Sequence, residues 1–262
     1  LYTIEPAKIV ETNNFKIHKI KKNNFSSFWR YQRFKEVQKV FKASLNEDVL
    51  IIMSGGLTLV DTRVKNVILY CHSTFFGEKS LLDEKSKGIK SIYLKMLKKN
   101  IEKSIKNLQS EEIKLISNSD FTKNEIYKNF KKDSFIIYPP VKISKWEQFY
   151  DKKKSNKVVT ISRFSKEKNL DLAVDVMNKT KIPYDLIGNA KYEKQLSEYT
   201  KLKNKAKNNV NFYLNIATDE LERLLASAKV YFHTSEETFG ISVIEAMASG
   251  CIPIVPDRKS VV

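Results

Sequence analysis

Short apolar runs alternate along this chain with stretches that carry apolar residues at helical spacing, and this alternation limits the fold more than any single motif. A strand that passes through a helix before the next strand comes back in the same direction, so such strands pair in parallel with helices on their faces. The strands expected on this basis cover 15–20, 49–53, 67–71, 113–117 and 135–137 in the first half, with helices over 28–44, 89–108 and 122–130. In the second half the strands are 157–161, 184–187, 210–213, 230–232 and 252–255, and residues 169–177 and 241–248 have helical spacing, the latter stopped by Gly250. Pro139 and Pro140 end the last strand of the first half, because proline cannot donate to a ladder. The charged stretch 141–156 is expected to be a linker between two α/β domains, 1–140 and 157–262. At 262 residues the chain has the length for two domains of roughly 130 residues each.

Chemistry concentrates in the segment 231–253, YFHTSEETFGISVIEAMASGCIP, which reads as the end of a strand, a polar loop and a helix opened at Phe239 and Gly240. The start of a helix offers unpaired backbone N–H groups and the positive end of a dipole, which suit a phosphate. Glu237 stands on the loop before that start, and Glu245, with seven residues between them, about one turn inside. Carboxylates are poor phosphate ligands but good acceptors for sugar hydroxyls. The economical reading is a nucleotide-sugar site with the phosphates on the helix end, one Glu for a ribose and the other for a hexose. Seen alone, each Glu is more simply a solvated loop charge or a first-turn residue favoured by the dipole. A second cluster reverses that balance: Arg163 and Lys168 lie between the strand at 158–161 and the helix that follows, at the carboxyl end of a parallel strand, where open α/β sheets bind ligands. Arg grips phosphate oxygens bidentately, and Lys acts on them as a point charge.

The motif SRFSKEKNL together with EETFGISVIEAMASGCIPIV resembles the donor half of the retaining GT-B glycosyltransferases of family four. The likeness extends through YCHSTFF, LISNSDFTKNEI, IIYPPV and NFYLNIATDELERLLASAKVYFHTSEETFGI, and is greatest to the branch that adds α-1,2-mannose to lipid-linked oligosaccharides. It implies two Rossmann-like domains whose parallel sheets face each other across a cleft. It also implies a donor nucleotide-sugar, GDP-mannose in preference to UDP-sugars, a glycan or lipid-linked acceptor, and no cofactor or metal; no Asp-x-Asp motif occurs. The site residues it implies are His72, Arg163, Lys168 and Glu237 for catalysis, with Gly188, Thr238, Phe239, Gly240, Ile241 and Glu245 binding the donor. Thr238 stands where many members carry glycine, and Ser73 and Thr74 where proline is common. Family members begin earlier, with a strand and a Gly-rich loop, and continue past the segment IPIVPD, so the chain is expected to be clipped at both ends.

Charge bears on the partners. Lys and Arg number 47 against 30 Asp and Glu, a formal net charge of +17, and only six of the 47 are Arg. A field of that size attracts anionic surfaces within about 8 Å at physiological salt. Nucleic acid is disfavoured as a specific partner, since no zinc-finger, helix-turn-helix or RNP pattern appears and the Lys are spread along the chain. An anionic membrane is the better match: the stretch 89–108 sets an apolar stripe of Ile89, Ile92, Met96, Leu97, Ile101, Ile105 and Leu108 beside Lys90, Lys95, Lys98, Lys99, Lys103 and Lys106. With no apolar span or signal peptide in view, a cytoplasmic protein, peripheral on the cytoplasmic face of a membrane, is expected. The two cysteines, Cys71 and Cys251, sit in apolar strand contexts and read as buried free thiols.

Three other functions compete with transfer. A glycoside hydrolase would use Glu237 and Glu245 as acid and nucleophile but would give Arg163 and Lys168 no task. A nucleotide-sugar epimerase on the same architecture is a closer rival. A non-catalytic basic protein that binds membrane or nucleic acid would be betrayed by salt-dependent binding without nucleotide affinity.

Overall fold

In the computed structural model the described residues are 2–3, 18–19, 50–54, 67–72 and 89–256. The expected helix at 28–44, most of the strand at 15–20, and Ser73, Thr74 and the tail beyond residue 256 lie outside them. The chain divides into two compact units, Leu1–Tyr138 and Pro139–Val262.

The first unit contains a parallel sheet in the order β3-β4-β5-β6, formed by Leu50–Ser54, Val67–Cys71, Ile113–Ser117 and Phe135–Ile136. A separate parallel pair joins β1, Tyr2–Thr3, to β2, His18–Lys19. Val67, Leu69 and Cys71 on β4 and Ile113 and Leu115 on β5 are buried, and the residues between them are not, the period of two that a pleated strand imposes. Helices α1, Ile89–Leu108, and α2, Asp120–Phe130, supply Leu94, Leu108, Ile126 and Phe130 to this core. Ser119 caps α2 by accepting the Thr122 N–H at 3.1 Å. On α1 Leu94 and Leu108 are buried, the second as expected in the stripe, whereas Ile92, also expected there, is 63% exposed.

The second unit carries a five-stranded parallel sheet, β11-β10-β7-β8-β9, made of Ile252–Ile254, Ala228–Phe232, Ser155–Ile161, Tyr184–Gly188 and Val210–Leu214. Adjacent residues of one strand enter opposite cores, as alternation of Cβ directions requires. Val158 and Leu186 pack beneath α4, Leu170–Thr180, and α5, Glu193–Lys205. Val159 and Ile187 instead meet α3, Ser144–Glu147, α6, Thr218–Ser227, and α7, Ile241–Ala248. Helix α4 buries Leu170, Ala173, Val174 and Met177, the i, i+3, i+4, i+7 face of an amphipathic helix.

Two details fix the elements that carry the site. The stretch 141–156, expected as a linker, holds α3, whose Trp146 is buried in the core shared with Val243 and Ala246 of α7. Lys154 Nζ donates to the carbonyls of Ala226 at 2.7 Å, Phe149 at 3.2 Å and Ser249, so one ammonium satisfies the carboxyl ends of α6 and α7 together.

Candidate active site

The order β11-β10-β7-β8-β9 means that the chain leaves β7 toward one side, builds β8 and β9, and then returns to add β10 on the other side. The loops after β7 and β10 therefore diverge from neighbouring strands, and that divergence opens the crevice in which α/β sheets bind ligands. Arg163 and Lys168 are on the first loop and Glu237 on the second.

The loop after β7 runs into a 3-10 turn, Lys166–Lys168, and then into Asn169 at φ 51° and ψ 36°, a left-handed conformation that Asn tolerates better than most residues. This turn carries Lys168 toward the other loop. Thr234 Oγ1 donates to the Lys168 carbonyl at 2.8 Å, and Lys168 Nζ pairs with Glu237 Oε1. Both side chains of the pair are largely withdrawn from water, at 15% and 27% exposure. Ser235 Oγ reaches the same oxygen at 3.2 Å and His233 Nε2 at 3.4 Å. Burial alone would raise the Glu237 pKa, but the hydrogen bonds from His233 and Lys168 and their charges outweigh it and hold the carboxyl down at about 2. Glu237 is thus a carboxylate at any physiological pH.

Gly240 begins α7 at φ 83° and ψ 49°. Nothing lies closer than 3.5 Å to where its Cβ would be, so the backbone angle, not crowding, calls for glycine. No side chain caps this helix start, and its first-turn N–H groups have no partner within the helix. Phe239 is buried and Ile241 is nearly half exposed. One turn on, Glu245 accepts a hydrogen bond from the Trp146 side chain, with Lys145 also acting on it. Burial raises its pKa, and these two contacts only partly offset the rise. Tyr231, fully buried on β10, donates from its hydroxyl to Ser242 Oγ at 2.9 Å, and both glutamates act on it.

The other expected residues have distinct settings. Arg163 is 62% exposed, with Glu167 3.9 Å away. A Cβ on Gly188 would lie 2.1 Å from the Ser162 carbonyl oxygen and 2.8 Å from the Phe164 ring, so glycine here lets the loop after β7 cross the end of β8. His72, in the first unit, follows β4; its ring stands edge-on to Tyr70 at 4.8 Å, and its carbonyl accepts from Asn118 Nδ2 at 2.9 Å. Sequence reasoning passed over His233, Ser235 and Trp146. The first two had a signal, since Tyr231, His233, Ser235 and Glu237 recur at every second residue of an extended chain. Trp146 had none, because the contact joins α3 to a helix about a hundred residues later. Among the described residues, no group of three or more His, Cys, Asp or Glu gathers as a metal would need.

Residues 142–262, within the second unit, match the family model described as glycosyl transferases group 1. Among curated proteins the chain is similar to the GDP-Man:Man(3)GlcNAc(2)-PP-Dol alpha-1,2-mannosyltransferase of Dictyostelium discoideum, with 29% identity over 208 residues, 69% of this chain and 40% of that protein. The enzyme of the same name from Mus musculus is 29% identical over 157 residues, 52% of this chain and 32% of that one. The chain thus spans well under half the length of these relatives. Among solved structures, the catalytic domain of starch synthase IV from Arabidopsis thaliana, bound to ADP and acarbose, superposes with a TM-score of 0.56 at 13% identity, covering 89% of this chain and 62% of that one. Anabaena HepE, in complex with UDP and glucose, gives 0.52 at 16% identity, covering 92% and 66%. These are GT-B glycosyltransferases, and the likeness shows their α/β fold with parallel sheets.

Proposed function

We propose that the protein is a retaining, GT-B hexosyltransferase that moves mannose from GDP-mannose to a lipid-linked glycan. The observation that carries this reading is the convergence of Lys168, Glu237 and the uncapped start of α7 at the switch point of a group 1 glycosyl transferase domain. The names of the curated relatives, which specify GDP-Man and a PP-Dol acceptor, supply the donor and the acceptor class.

In this reading the diphosphate lies against the α7 start and Lys168, with Arg163 turning in from solvent, and Glu245 accepts the ribose hydroxyls. Glu237 contacts the hexose, and the backbone of Gly188 and the 238–241 turn lines the donor. The acceptor hydroxyl oxygen bonds to the anomeric carbon as the bond from that carbon to the phosphate oxygen breaks. The electron pair leaves with the nucleoside diphosphate, which takes the acceptor's proton on the same face of the sugar. Arg163, Lys168 and the helix start stabilise the charge that builds on the departing phosphate, and losing one such contact costs ~10²–10³ in rate. A hydrolase would leave this cationic side of the site without work.

A thermal-shift panel of GDP-, UDP- and ADP-sugars on the full-length gene product tests the donor. GDP-mannose at a hundred times its dissociation constant adds about 2.7 kcal/mol. A shift with a UDP- or ADP-sugar alone would reject GDP-mannose, and no shift with any of them would reject the site.

A further inference from the structure

His233 belongs to none of the donor contacts proposed above, yet it is 5% exposed just past the end of β10, with Nε2 3.2 Å from Ser235 Oγ and 3.4 Å from Glu237 Oε1. A buried imidazole is costly unless its polar atoms are engaged. Here the engagement is with an ionised carboxylate, so Nε2 carries the proton it donates. The Tyr231 ring stacks on the imidazole at 6.0 Å and 17°. The Tyr231 hydroxyl is itself tied to Ser242 and to the Ile161 carbonyl at 3.2 Å, so the stacked ring is a fixed wall.

Lys168, Ser235 and His233 all converge on Oε1. A carboxylate has two acceptor oxygens, and these three donors all engage the same one. The three donors are not equivalent. Lys168 reaches Oε1 from another loop on a flexible four-carbon stem, and in the proposed function it shifts its charge toward the diphosphate when the donor arrives. Ser235 and His233 belong to the same loop as Glu237 and stay.

Resting on the reading of Glu237 as a contact of the transferred sugar, we propose that His233 is a positioning residue: it holds Oε1 of Glu237 and turns Oε2 toward a sugar hydroxyl when Lys168 is drawn to the phosphates. His233 then acts on turnover and leaves nucleotide binding to Lys168, Arg163 and Glu245. It also keeps Glu237 ionised, since its hydrogen bond is the foremost contact that lowers that carboxyl's pKa against burial. The charged and titratable groups that act on Glu237 are His233 and Lys168, with Tyr231 stacked behind the imidazole.

The test compares wild type, His233→Leu and His233→Gln of the full-length gene product by consumption of GDP-mannose, by calorimetric affinity for GDP and by the pH profile of kcat. His233→Leu is expected to lower kcat roughly tenfold or more, as for a lost hydrogen bond to a charged group, with the Kd for GDP within about twofold. The acid limb of its profile moves to higher pH, because Glu237 without this donor takes up a proton more readily. His233→Gln, whose amide still donates, recovers most of the turnover. A thermal melt separates misfolding from these effects, and Ser235→Ala, which removes the other local donor, repeats the test if His233→Leu fails to fold. Wild-type kcat in His233→Leu, equal losses of turnover and GDP affinity, or an unmoved acid limb would overturn the positioning role alone. Wild type that neither binds GDP nor consumes GDP-mannose would overturn the reading of the site, and this inference with it.

Discussion

Glu237 and Glu245 are the same residue type with seven residues between them, and their surroundings drive them in opposite directions. Glu237 is held at about 2, against an ordinary value of 4.5, by donors that outweigh its burial, whereas burial prevails at Glu245 and raises it. The signs for stability differ accordingly. Ionised Glu237 contributes stability that is present above pH 4.5 and lost as the pH falls from there toward 2. Protonated Glu245 contributes stability that is present below the ordinary carboxylate value and lost as the pH rises through its raised one. As pH falls from neutrality, Glu245 therefore takes its proton first, with Glu237 still charged. If Glu245 accepts the ribose hydroxyls, affinity for guanosine should weaken as the pH falls through that raised value, and Glu245→Gln should flatten that dependence. Guanosine is the probe because it carries no phosphate to titrate. Calorimetry from neutral pH down to the ordinary carboxylate value of 4.5 reads the change, and an equally steep loss in Glu245→Gln would dismiss the assignment.

Elements set these residues in place, and Gly188 at the end of β8 is the tightest joint among them. With the Ser162 oxygen 2.1 Å from any added Cβ, Gly188→Ala must push the loop after β7 off the sheet or strain the strand. We expect a loss of about 1–3 kcal/mol, the usual range for overpacking, with weaker nucleoside-diphosphate binding, because that loop carries Arg163 and Lys168. Denaturant unfolding measures the first effect, and an unchanged midpoint would show that the loop yields freely. Most elements were legible beforehand, since runs such as 67–71, 89–108 and 241–248 have an unambiguous period and clear stops. The helices Glu193–Lys205 and Thr218–Ser227 were not singled out, and two further elements escaped because they have no period of their own. Helix α3 is one turn long and is placed by Trp146 entering a core built by distant strands, and the turn at Lys166–Lys168 depends on Asn169 adopting a left-handed angle. Site residues followed the same division. Glu237 and Lys168 were visible because charge stood at strand ends, whereas the Trp146 contact to Glu245 is purely tertiary.

Residues 142–262 match the group 1 glycosyl transferases model, and in the first unit the longest helix among the described residues, α1, is strongly basic. Among the described residues no helix is long and apolar enough to cross a membrane. Lys95, Lys99, Lys103 and Lys106 are exposed on α1, with Glu102 among them. We infer that this face docks the enzyme on an anionic membrane that carries its acceptor, each Lys contributing up to ~1 kcal/mol near the surface. Flotation should show binding to vesicles containing phosphatidylserine that high salt abolishes. Equal binding to neutral vesicles, or no change when these four Lys become Gln, would refute electrostatic docking. In the other unit Lys168 and Glu237 meet at the switch point of the sheet, at the proposed nucleotide-sugar site. Calorimetric titration of the full-length gene product with GDP, GDP-mannose and guanosine, in wild type and Lys168→Met, tests it most directly. Wild type is expected to bind all three, and Lys168→Met to lose affinity for GDP and GDP-mannose by roughly tenfold or more, as for a lost charge-assisted contact, while guanosine binding is unchanged. Equal affinities of both proteins for GDP-mannose, or no nucleotide binding by wild type, would contradict it.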